Sequence, residues 1–179
     1  MPKFNTASQF LLELNSQSDG NVLSIAKYDS RWQIVGSNGD NYDANDFQIV
    51  PGTGYIVKAS ANTTVEIRGQ EIKFDSVGDF APIYFNSGWN LVGIYGSNAK
   101  EYTAESFIDA INSYTEIDLT ADNVTRWPTE KARYEGLQKT INDDGTSDVY
   151  GFDFPLDNTQ KTAYFVRVIS GQGKWEPGL

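Results

Sequence analysis

A chain of 179 residues with a net charge of −10 repels nucleic acid and anionic membrane surfaces, and its scattered lysines and arginines form no basic stripe to reverse that. The absence of cysteine and histidine removes disulfides, thiol nucleophiles, zinc-thiolate sites and every histidine-based acid–base pair, so any catalysis would have to run on carboxylates, lysine or tyrosine. No apolar run is long enough to span a bilayer as a helix, and Met1–Phe10 holds no signal-peptide core.

In chain order, the first element is a helix over about residues 6–17. Ala7, Phe10, Leu11 and Leu14 form one apolar stripe, and Thr6 with Gln9 supplies a cap. Short segments rich in β-branched and aromatic residues follow: VLSIAKY, RWQIV, YIVKA and TTVEIRG, separated by Gly, Asn and Asp clusters. A boundary falls near Phe74–Ala81, and APIYF reads as a further strand. GWNLVGIYG then predicts a strand over about 88–95. Its two faces, Trp89, Leu91, Gly93, Tyr95 and Asn90, Val92, Ile94, are both largely apolar, which predicts a central strand covered on both sides. A second helix over about 103–114 repeats the stripe with Ala104, Phe107, Ile108 and Ile111 behind a Thr103 cap. The remaining strands, among them YFVRV, are separated by the longer loops RWPTEKARYEG and KTINDDGTSDVYG.

Much of this occurs twice. FNTASQFLLELNSQ aligns with EYTAESFIDAINSY at a constant offset of 97, from Thr6 to Thr103. GYIVKASANTTVEIRG aligns with AYFVRVISGQGKWEPG at an offset of 109, from Tyr55 to Tyr164. The expected fold is therefore β-rich α+β: two tandem repeats, 1–78 and 79–179, each a short antiparallel sheet (a small sandwich or partial barrel) covered by one amphipathic helix. The GWNL strand has no counterpart before the first helix. Either the first sheet is one strand short, or EIKFDSVGDFAPIYF supplies a strand, or one comes from upstream. An open sheet edge there would allow self-association by strand pairing.

Two groups of side chains are candidate sites. Trp32 and Trp175, beside SR and GK, are the tryptophans expected at the surface, and with Tyr28 they would form a stacking platform for sugar rings. Trp89 and Trp127, in apolar strand contexts, are expected in the core. In TINDDGTSDVYG, Asn142, Asp144 and Asp148 stand at positions 3, 5 and 9 of a calcium-type loop, but Thr140 and Gly151 hold the first and twelfth. A solvated hairpin turn is therefore the favoured reading there, calcium is the one metal considered, and no other cofactor is expected. Asp40, Asp43 and Asp46 in NGDNYDANDF likewise read as a solvated loop.

The order GWNLVGIYG, YTAESFIDAIN, a strand with Lys or Arg beside an aromatic (AKY, TRW), then GYIVK or YFVRV, resembles repeat modules of bacterial secreted and cell-surface proteins. Gly88, Trp89, Asn90, Leu91, Tyr55 and Tyr164 carry the signature. The resemblance covers nearly the whole chain and departs where GTGY in the first copy becomes KTAY in the second. It implies a non-catalytic structural or adhesive module of an exported envelope or surface-layer-like protein, located extracellularly or on the cell surface. Its partners would be other protein modules, the envelope or glycans, with a carbohydrate-binding module as the alternative.

Overall fold

Thr6 starts the first helix. Its backbone is extended and its Oγ1 accepts the Gln9 N–H at 3.4 Å, so one N-terminal amide is satisfied before α1, Ala7–Gln17, begins. The helix buries Ala7, Leu11 and Leu14. In the second helix, α2, Ala104–Asn112, Thr103 and Ser106 cap each other reciprocally, and Ala104, Phe107, Ile108 and Ile111 are buried. It ends two residues earlier than its periodicity predicts. The computed structural model describes residues 5–38, 41–42, 46–67, 81–95, 101–156 and 159–176; the boundary expected at 78/79, Asp40 and Asp43 lie outside these.

Eleven strands connect and surround the helices among the described residues: β1 (Val22–Asp29), β2 (Arg31–Asn38), β3 (Asn41–Tyr42), β4 (Ile56–Ala59), β5 (Ile83–Phe85), β6 (Gly88–Tyr95), β7 (Thr120–Arg126), β8 (Glu135–Ile141), β9 (Ser147–Gly151), β10 (Thr159–Ser170) and β11 (Gly173–Trp175). The main sheet runs β3-β2-β1-β6-β10-β7-β8-β9 with β4 also on β1, and β11 pairs with β5 separately; all pairings are antiparallel. The fold is thus β-rich α+β. TTVEIRG does not form the expected strand: its described part, residues 63–67, is irregular. Its backbone is used locally instead, where the Glu66 N–H donates to Gln17 Oε1 at 2.7 Å.

Both helices lie on one face. Helix α1 covers Val22, Ile25 and Val35; α2 covers Val124, Leu137 and Val166 together with Ile83, Phe85 and Trp175. Strand alternation turns Ala26, Tyr28, Trp32 and Ile34 to the opposite, helix-free face, along with Trp89, Leu91 and Phe165.

The helices are also anchored alike. The Ala7 N–H donates to Phe47 O at 2.8 Å and the Ala104 N–H to Phe154 O at 2.9 Å. Asp46 Oδ1 accepts the Ser8 N–H at 2.9 Å, and Asp153 Oδ1 accepts the Glu105 N–H at the same distance. These carboxylates sit at the positive ends of the helix dipoles. At the other ends, Asn15 Oδ1 accepts the Val22 N–H and Asn112 Oδ1 the Ala121 N–H, turning each helix into its next strand. Phe47 stacks on Tyr55 and Phe154 on Tyr164, at centroid distances of 6.1 and 6.3 Å. Lys27 and Arg126 lie over the same two phenylalanine rings. Asp46 is therefore a helix anchor rather than a merely solvated loop residue.

The expected strand at 88–95 is β6, and it is central. β10 holds one edge, while on the other Gly54 N–H donates to Leu91 O at 2.9 Å and Gly93 N–H to Gly52 O at 3.1 Å. Asn90, Val92, Ile94 and Leu91 are buried, but Trp89 is 39% exposed, so coverage on both faces is incomplete at its first turn. The buried Asn90 has a clear task. Its Oδ1 accepts the Asn86 N–H at 2.9 Å, and its amide N–H groups reach Asn86 O at 2.8 Å and Gly88 O at 3.1 Å. With Gly88 at φ +97, a region that side chains disfavour, this closes the turn that admits the strand.

Candidate functional site

The helix-free face carries a band of aromatic rings supplied by separate strands. Tyr28 on β1 lies opposite Trp32 on β2, and their rings meet at 5.2 Å in an edge contact. Trp32 in turn touches Phe165 of β10 at 6.1 Å, Phe165 touches Tyr134 at 6.1 Å, and Tyr134 touches Trp127 at 4.7 Å, each near perpendicular. Trp89 of β6 stands beside them under the guanidinium of Arg167, 5.7 Å from its centroid. Tyr28, Trp32, Trp89, Thr125, Tyr134 and Phe165 line a shallow depression of about 320 Å³.

Sheet geometry makes this band. Side chains directly opposite on neighbouring strands share a face, and the pairings Phe165↔Leu91, Phe165↔Thr125 and Arg167↔Trp89 align residues from β6, β10 and β7. Trp32 and Trp127 are each 46% exposed and Tyr134 is 58% exposed. Such a run of open aromatic surface is unusual where nothing docks on it.

Ordered polar groups flank the rings. Arg167 Nε donates to Asp122 Oδ1 at 2.8 Å and its Nη2 to Oδ2, a two-point pair that fixes the guanidinium over Trp89 and holds it more firmly protonated than usual. Thr125 Oγ1 donates to Asn123 Oδ1 at 2.8 Å. On the helix side, Lys131 and Arg126 both bond Glu135 and keep its carboxyl below the ordinary range. Among the described residues no carboxylate lines the depression, so its chemistry is stacking and apolar contact with a few hydrogen bonds at the rim. A smaller, more polar cavity of about 170 Å³ lies beside the start of β6, between Lys27, Asp29, Tyr84, Asn86 and Asn90.

The structure brings Trp32 and Tyr28 together but places Trp175 elsewhere. Trp175, expected at the surface, is 1% exposed. It ends β11, packs edge-on against Phe107 at 5.1 Å and donates its indole N–H to Ala110 O at 3.3 Å. Trp89 and Trp127, expected in the core, are exposed instead. The local apolar neighbours were misleading: strand parity puts Trp89 on the helix-free face, and Trp127 lies just past the end of β7, beyond the cover of α2. Phe165 and Tyr134 escaped sequence reasoning, although Phe165 sits one residue after the signature Tyr164, where alternation turns it to the other face.

Asn142, Asp144 and Asp148 lie in and beside the β8–β9 hairpin turn. Asp144 Oδ1 accepts both the N–H and the hydroxyl of Thr146, which keeps its carboxyl below the ordinary range, and Asn142 donates to Thr146 Oγ1 and Asp148 Oδ2. These oxygens brace the turn rather than converging on one point. Among the described residues no group of three or more acidic side chains could hold a metal ion, and no helix is long and apolar enough to cross a membrane. Comparison with known proteins adds no relative: no family model, no curated protein and no solved structure matches the chain.

Proposed function

We propose that the chain is a non-catalytic adhesive module of an exported cell-surface protein, built from one helix-on-sheet unit used twice, 1–78 and 79–179, with the aromatic face as its contact surface. The observation that carries this is the open band from Trp32 through Phe165 and Tyr134 to Trp127, which crosses both units. The duplication is supported by the matched anchors of the two helices, where Asp46 and Phe47 do for α1 what Asp153 and Phe154 do for α2. Export rests on the resemblance to surface-protein modules.

A second reading, that the surface takes carbohydrate, is favoured by the exposure of the Trp32 and Trp127 rings beside fixed polar groups such as Arg167 and Thr125, the pairing of apolar faces and hydrogen-bonding edges that sugar rings require. One experiment separates the two. Purified chain is incubated with isolated bacterial envelopes, intact, protease-stripped or freed of polysaccharide, and the retained fraction is measured for the native chain and for the combined Trp32→Ala, Trp89→Ala, Trp127→Ala variant. Retention that needs the tryptophans supports the proposal, survival after protease selects carbohydrate, and no retention on any envelope rejects both.

A further inference from the structure

With one unit used twice, β4 corresponds to β10 and Tyr55 to Tyr164, and the two strands differ in their pairing. β10 is hydrogen-bonded along both edges, to β6 and to β7. β4 is hydrogen-bonded to β1, and among the described residues no strand lies along its other edge. Burial follows the pairing. The helix-side row of β10, Tyr164, Val166 and Val168, is 0%, 0% and 1% exposed; in the matching row of β4, Tyr55 is half-buried, Val57 is 45% exposed and Ala59 is exposed. Val57 is nevertheless a core-facing residue by register, since it pairs with the fully buried Ile25.

The segment after the strand repeats the difference. Gly173–Trp175 forms β11 against β5, whereas the corresponding residues 64–66 form no strand. Both positions are filled in the second unit by one continuous piece, β5 and β6, residues 83–95.

We propose that the edge of β4 along which no described strand lies binds an extended segment of another polypeptide with the chemistry of β5–β6, by antiparallel strand addition. This inference rests on the duplication but not on the aromatic face. The filled unit specifies the ligand. Val92 lies opposite Tyr164 and Asn90 opposite Val166, so the incoming strand sets an apolar residue against Tyr55 and an Asn, two residues earlier, against Val57. Main-chain hydrogen bonds to the edge give affinity, and the alternate apolar residues that complete the core give specificity. An edge unpaired among the described residues, with exposed β-branched residues on both faces, Ile56 and Val57, is the kind of edge that recruits a strand.

The test uses the whole chain and a peptide with the sequence of residues 81–95, solubilised by a lysine tail. Calorimetry is expected to give one peptide per chain, and hydrogen exchange is expected to slow at residues 56–59. A scrambled peptide should not bind, Val57→Lys should weaken binding by about tenfold or more, and Trp32→Ala should leave it unchanged. Absence of binding, slow exchange at 56–59 before peptide is added, or protection confined to β10 would each overturn the proposal. So would loss of binding in Trp32→Ala, because the peptide would then occupy the aromatic face. The exchange measurement on the native chain decides the matter even if Val57→Lys does not fold.

Discussion

The ring of Trp32 meets the ring of Phe165 edge-on, 6.1 Å between centroids, and by that contact β2 touches β10 although the two strands are not neighbours in the sheet. The pair joins surface to surface rather than building the core, because Trp32 is 46% exposed. Trp32→Ala is therefore expected to lower unfolding free energy by about 1–3 kcal/mol, the contribution of its two edge contacts with Tyr28 and Phe165. Trp175→Ala, at a site 1% exposed, is expected to cost about 3–5 kcal/mol. Urea unfolding of the two variants checks the ranking; equal losses would reject the assignment of one ring to the surface and the other to the core.

Asp46 gives the first helix a pH dependence. Burial pushes its carboxyl upward, but the hydroxyl and N–H of Ser8, with Thr6 and Phe47, bond the ionised form and hold it below the ordinary carboxylate value. Because the folded value is the lower one, its stabilisation is present above the unfolded value of about 4 and is lost as pH falls through the folded value. The urea midpoint of Asp46→Asn should thus fall less than that of the native chain between about pH 6 and about pH 3.

Asn90→Ala removes the group that closes the turn into β6. The Asn86 N–H and O lose their partner in a part-buried site, and a loss of about 1–2 kcal/mol is expected. Exchange of the Asn86 amide should quicken in the variant while the helix amides of α1 stay unchanged.

Gly54 sits at a close approach of the two halves. A Cβ there would stand 2.8 Å from Ala163 Cβ and 2.9 Å from both Leu91 Cγ and Val92 O. Gly54→Ala is expected to destabilise by about 1–3 kcal/mol. Adding Ala163→Gly removes one of the three clashes and should recover part of the thermal midpoint; no recovery would mean the strain lies elsewhere.

Local elements were legible because each is written in consecutive residues. The Thr6 and Thr103 caps, both apolar stripes and the full span of β6 follow from spacing alone. Trp32 is exposed as its sequence setting suggests, but the exposure of Trp89 and Trp127 and the burial of Trp175 did not follow, because they depend on which strand lies beside which: Trp89 has apolar neighbours in sequence, yet its face is the one without helices. TTVEIRG failed as a strand for a related reason. Its composition suits a sheet, and in the described structure no strand pairs with it. Asp-Phe occurs at 46–47, 79–80 and 153–154, so the dipeptide alone does not single out the two helix anchors; their role needs the helix ends they hold, far away in sequence.

The two cores differ in size. Among the described residues seven buried side chains gather around α1 and nineteen around α2, and the main sheet joins β1 to β6 at a single residue pair, Asp29↔Asn90. Local opening follows buried contact density, so the smaller cluster yields first. If the chain is pulled from its two ends, extension should come in two steps, with the α1 half giving way at lower force while the α2 half still grips. Under load such a chain lengthens before it fails.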